Sequence, residues 1–161
     1  MSRYSMFIAG GALSLAVSGV LQAQTGTQTV AFDVQAINKI AATGSPSLTI
    51  NTAVAGAQPT QATSNGNSYA ITTNDTGRKI TIEIDVDMPT DVTLRASLAP
   101  PGGATSAGFV TLSHTTPQNA VTGISQRAET GLFIHYTLDA LVTAGIVSGS
   151  RTVLLTVLAG P

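Results

Sequence analysis

Four carboxylates crowd one short stretch of the chain. Glu83, Asp85 and Asp87 alternate with apolar residues, and Asp91 follows after Pro89 and Thr90. On a strand, side chains two positions apart share a face and stand about 6.6 Å apart. Oxygen donors so grouped are a candidate calcium site, because Ca²⁺ takes six to eight oxygen ligands. No EF-hand loop accompanies them. The competing reading is a solvated strand face that resists aggregation, partly neutralised by Lys79 and Arg95. A glycosidase pair needs a similar carboxylate spacing, but the chain lacks the aromatic platforms that line a sugar cleft.

The remaining reactive side chains form no constellation. Ser113 and His114 are adjacent, and neighbours on a strand point to opposite faces. His135 and Asp139 would stand about 13 Å apart along one strand. A metal site needs three or four converging ligands, and the chain offers two histidines and no cysteine. Gly-x-Ser-x-Gly, phosphate-loop and dinucleotide fingerprints are all missing. Asn74-Asp75-Thr76 matches the Asn-x-Thr glycosylation pattern, but with Gly77 it reads first as a turn. The expectation is a protein without enzymatic activity.

Composition narrows the class further. Of 161 residues, 43% are hydrophobic and only 9% are charged, with 4% aromatic. A disordered chain is poorer in apolar residues, and a helical bundle is richer in Glu, Lys, Arg and Leu. The net charge of −1 gives no basic face for nucleic acid. With no cysteine, a disulfide scaffold is excluded.

Residues 1–23 read as a secretory signal. Arg3 supplies the positive charge, residues 6–20 form an uncharged apolar run, and Ala23 offers a small residue before the cut. At about 15 residues the run is short of the ~20 that span a bilayer. Cleavage would remove Arg3 and leave six basic residues against eight acidic ones. Residues 24–161 are then expected as a single exported domain, large enough to bury a core without staples.

That domain reads as successive strands. Ile80, Ile82, Ile84, Val86 and Met88 alternate with Lys79, Thr81, Glu83, Asp85 and Asp87. A period of two means one buried and one wet face. Alternation resumes at Val92, Leu94, Ala96 and Leu98. A tight loop at 89–91 would place Met88 opposite Val92 and Asp85 opposite Arg95. The turn at 74–77 would place Ile71 beside Ile80, so residues 68–99 are expected as a three-stranded meander. Further strands are expected at 29–37, around Leu48 and Ile50, around Val110 and Leu112, and at 120–124. Residues 131–138 carry apolar side chains on both faces and are expected at a sheet centre. Residues 151–158 close the chain. Residues 52–67 are expected as a loop, and 138–146 as a short helix. Eight or nine short strands separated by turn signals point to an all-β fold, an antiparallel immunoglobulin-like β-sandwich. A membrane barrel would need aromatic girdles and longer strands.

The chain ends suggest a role. Residues 24–37 begin polar and then alternate through Val30, Phe32, Val34 and Ala36. This is the form of a subunit-pairing strand that can add to an exposed sheet edge. Terminal strands at both ends invite exchange between subunits. The signal, the Thr-rich small-residue strands, the Ser148-Gly149-Ser150 turn and the closing run at 152–157 resemble secreted bacterial β-sandwich surface proteins. These include fimbrial-type and spore-coat-U-type subunits and biofilm-matrix fibre proteins, although the cysteine pair of many pilins is absent. The resemblance implies assembly by donated strands, a periplasmic chaperone as partner and no enzymatic activity. The leading expectation is therefore a secreted structural subunit of a surface fibre or matrix, self-associating by edge pairing. The alternative is a monomeric extracellular module for calcium or glycan.

Overall fold

The computed structural model describes residues 24–160. The signal expected at 1–23 lies outside the described residues. Residues 24–33 belong to a unit separate from the body that begins at Val34. Among the described residues no helix is long and apolar enough to cross a membrane.

Nine strands build the body: β1 (Asn38–Thr43), β2 (Ala62–Thr73), β3 (Arg78–Ile84), β4 (Val92–Leu98), β5 (Thr105–Ser106), β6 (Val110–Thr111), β7 (Gln118–Ile124), β8 (Arg127–Ala140) and β9 (Val153–Ala159). They form two antiparallel sheets in the orders β1-β2-β8-β4-β6 and β5-β7-β3-β9. The fold is an all-β sandwich, as the alternation pattern implied. From β2 onward every connection crosses from one sheet to the other.

Period-two patterning explains the core. Ile80, Ile82 and Ile84 from β3 are fully buried against Ile71 and Tyr69 from β2 and Ile134 from β8. Leu94, Ala96 and Leu98 of β4 and Val121 and Ile124 of β7 complete the cluster. Each such side chain contributes about 1.5–3 kcal/mol, offset by the entropy of ordering the chain. Tyr69 keeps its polar end satisfied by donating its hydroxyl to Ala99 O at 2.6 Å. Burial pushes the Tyr69 and Tyr136 phenols above their ordinary pKa, and nearby Glu129 adds to the shift at Tyr69.

Several local expectations fail for one reason. The meander over 68–99 does not exist, because β2 pairs with β1 and β8, β3 with β7 and β9, and β4 with β6 and β8. Ile71 and Ile80 therefore meet across the core, not side by side. Arg95 pairs with Thr137 and Thr111, so it does not stand opposite Asp85. Val86, expected inside, is 57% exposed, because the β3 ladder ends at Ile84. Alternation records which face is apolar, and an arch between sheets satisfies it as well as a hairpin does.

Other differences follow from ladder partners. The first strand starts at Asn38, and no strand forms over 24–37 or around Leu48 and Ile50. An alternating segment becomes a strand only beside a neighbour that completes its hydrogen bonds. Conversely, the last six residues of the loop expected at 52–67 are strand, since β2 begins at Ala62 opposite Leu138. The helix expected over 138–146 is a single 3-10 turn at Val142–Ala144. β8 is the middle strand of its sheet, as expected, although Phe133 on its outer face stays 58% exposed.

The burial pattern predicts an asymmetry between β3 and β9. Ile82→Ala should cost about 2–5 kcal/mol in urea unfolding, at an unchanged denaturant slope. Leu154→Ala, on the exposed side of β9, should stay within about 0.5 kcal/mol. A cost at Leu154 equal to that at Ile82 would contradict the assignment of faces.

Candidate functional site

One end of the sandwich gathers the loops that carry the chain's charged chemistry. Beyond Ile84 the chain leaves its ladder, and each carboxylate anchors a different neighbour. Asp85 donates its N–H to Thr152 O at 3.0 Å, and its Oδ1 accepts from the Thr152 N–H at 2.9 Å. Asp87 Oδ1 accepts from the His114 N–H at 2.7 Å and from Ser113 Oγ at 3.3 Å. Asp91 Oδ2 accepts from Thr143 Oγ1 at 2.5 Å, and Asp91 O from the Leu141 N–H at 2.9 Å. Asp91 holds φ 64°, a left-handed conformation that Asp tolerates better than most residues. Glu83 stays on β3 opposite Leu154.

The four carboxylates thus act singly. Among the described residues no three His, Cys, Asp or Glu side chains gather where they could hold a metal ion. His114 Nδ1 lies 3.3 Å from Ile84 O, where an imidazole N–H donates. His135 Nδ1 meets Asn65 Oδ1 at 2.7 Å on the outer face of the other sheet. Neither histidine stands beside an activated nucleophile.

Arg151 lies at the same end. Its Nε and Nη2 donate to Asp87 O at 3.1 and 2.9 Å, and its Nη1 donates to Ser150 O at 2.8 Å. Its partners are carbonyl oxygens. Beside it opens a groove of about 780 Å³, floored by Val92, Leu138 and Ala140 and walled by residues 48–53 and 145–149. Two smaller hollows continue it past Met88 to Arg151 and Val153. The walls carry no charged residue, because the chain has none between Lys39 and Asp75 or between Asp139 and Arg151.

At the opposite end of β2 a second feature appears. Asn74 Oδ1 accepts from the Ile37 N–H at 2.7 Å, and Asn74 Nδ2 donates to Gln35 O at 2.8 Å. The Asn74 N–H also donates to Ile37 O at 3.2 Å. This side chain stands in for a strand partner and holds the segment just before β1. The same bonds occupy the amide nitrogen that glycosylation would modify. Upstream, Val30, Phe32 and Val34 are 73%, 91% and 75% exposed. Ala36 is exposed as well.

The sequence marked the arm and the acids but missed the groove and the Asn74 clamp. The groove is built from loops more than 40 residues apart in the chain, so no local pattern could announce it. The clamp left a faint signal, an Asn at the first position of a strong turn.

Two carboxylates make stability acid-sensitive. The Thr152 N–H bonded to Asp85 lowers that carboxyl's pKa, and the Arg78 guanidinium bonded to Asp75 lowers the other. A folded pKa below the unfolded one stabilises at neutral pH, and that stability is lost as pH falls through the folded pKa. Asp75→Asn and Asp85→Asn should therefore be less stable than wild type at pH 7 and equal to it near pH 2. Urea midpoints measured across that range test this, and a pH-independent difference would reject it. No protein-family model, characterised protein or solved structure matches the chain.

Proposed function

We propose that the protein is an exported structural subunit that assembles into a surface fibre or extracellular matrix by pairing strands between copies. The observation that carries this reading is the arm at 24–37. It presents Val30, Phe32 and Val34 to solvent in strand-like alternation, with no strand formed. An exposed apolar row of this kind marks an interaction surface, and alternation is the pattern that suits strand addition.

The sheet edges support the same reading. β5 and β6, at one edge of each sheet, are two residues long, a common way to blunt an edge. β1 and β9 form the other edges, with six and seven residues. β9 contains neither charge nor proline, and its outward Leu154 and Leu158 are exposed. Such an edge is a template for a further strand.

Deleting residues 24–36 from the full chain should abolish assembly while leaving the sandwich folded, since the deleted residues form no strand. Negative-stain electron microscopy of the exported protein should show filaments for wild type and none for the deletion. The same polymer from the deletion variant would refute the role of the arm, and no polymer from wild type would refute the fibre reading.

A further inference from the structure

We propose that the groove beside Arg151 binds a free monocarboxylate carrying one apolar chain, in the manner of a fatty acid. The chain lies along the groove and the carboxylate meets the guanidinium. The proposal uses a different part of the molecule from the fibre reading and does not rest on it.

Size and lining come first. The groove measures about 780 Å³, and small-molecule sites commonly span roughly 300–1,000 Å³ with mostly apolar walls and a few placed polar groups. Leu48, Val92 and Leu138 line both the groove and the hollow that leads to Arg151. Leu141, Val142, Ile146 and Val147, on the loop along one side, are all exposed. Large apolar side chains left open so close together mark a surface that an apolar partner covers.

The guanidinium supplies the polar anchor. Arg151 is the only charged residue lining the groove and its two hollows. Asp87 O and Ser150 O fix its orientation, and one N–H on each of Nη1 and Nη2 is left over. The Asp87 carboxylate turns instead to His114 and Ser113, so the positive charge is held in place without a counter-ion. Gly149 lines the groove and both hollows, and a Cβ on it would stand 3.4 Å from Nη1. The charged group therefore borders the passage between them. An arginine presented in this way suits an oxyanion.

Two further observations narrow the ligand. Residues 48–52 and 145–149, which wall the groove, form no strand. An extended peptide would bring a regular row of N–H and C=O groups that such walls cannot pair. An acyl chain brings none. A phosphomonoester head would carry nearly two negative charges against one arginine, with Asp85 and Asp87 at the same end of the sandwich. A single carboxylate balances the single cation.

Calorimetric titration of the exported full-chain protein with decanoate, decanol and decyltrimethylammonium provides the test. Decanoate should bind saturably at one site per chain, roughly tenfold or more tighter than decanol, and the cation should bind weakest. Arg151→Gln should bring decanoate to the level of decanol and leave decanol unchanged. Equal losses for both ligands would show that Arg151 only holds the loop, and would overturn the proposal. Val147→Glu, at an exposed wall position outside the core, should melt as wild type does and lose decanoate binding. This variant and the wild-type comparison decide the matter if Arg151→Gln does not fold. Absent saturable binding, or equal wild-type affinity for all three ligands, would overturn the proposal. Phosphatidylglycerol vesicles should leave the protein in the supernatant on sedimentation. Co-sedimentation without saturable decanoate binding would reject the free ligand in favour of an anionic membrane surface.

Discussion

The structure depends on one constraint: each strand after β2 must turn its apolar face to the opposite sheet. Sheets alternate strand by strand, so the core forms between consecutive segments instead of beneath them. Ile71, Ile80 and Leu94 are successive in the chain and meet across the interior. No single sheet can form from neighbouring strands apart from β1 with β2. The ladders β2–β8, β3–β9 and β4–β8 all join distant segments, and such non-local pairing characterises slow-folding β-sandwiches.

This constraint places the polar residues. Every crossing needs a loop that spans the gap between sheets, and those loops must satisfy their own backbone groups. Asp85 ties the end of β3 to the start of β9 through Thr152. Asp87 ties the same loop to His114, and Asp91 ties the entry of β4 to Thr143. In a chain with 9% charged residues, these acids are used as acceptors that pin arches. Their grouping in sequence reflects one loop-rich end of the sandwich. The Arg151 guanidinium joins the same framework through carbonyl oxygens.

Edges complete the picture. At one flank the sheets end in two-residue strands, and at the other in β1 and the uncharged β9. Asn74 holds the root of an apolar arm at one end of the body, while the groove opens at the other.

The sequence by itself determined the class of fold, the apolar faces of β2, β3, β4 and β9, and the alternating arm. Periodicity is local, and burial of one face is all that it encodes. Strand β8 was legible as central because apolar residues on both faces mark a strand with two neighbours. Tertiary structure alone decided which strands pair. A four-residue turn such as 74–77 can close a hairpin or bridge two sheets, and only the partners Ser125, Gln126 and Asn38 fix it as a bridge. It also decided that Val86 lies outside, that Asp85, Asp87 and Asp91 serve separate bonds while Glu83 stays on β3, and that residues 48–53 and 145–149 wall one groove. Those outcomes depend on segments far apart in the chain, whose meeting no spacing along the sequence can record.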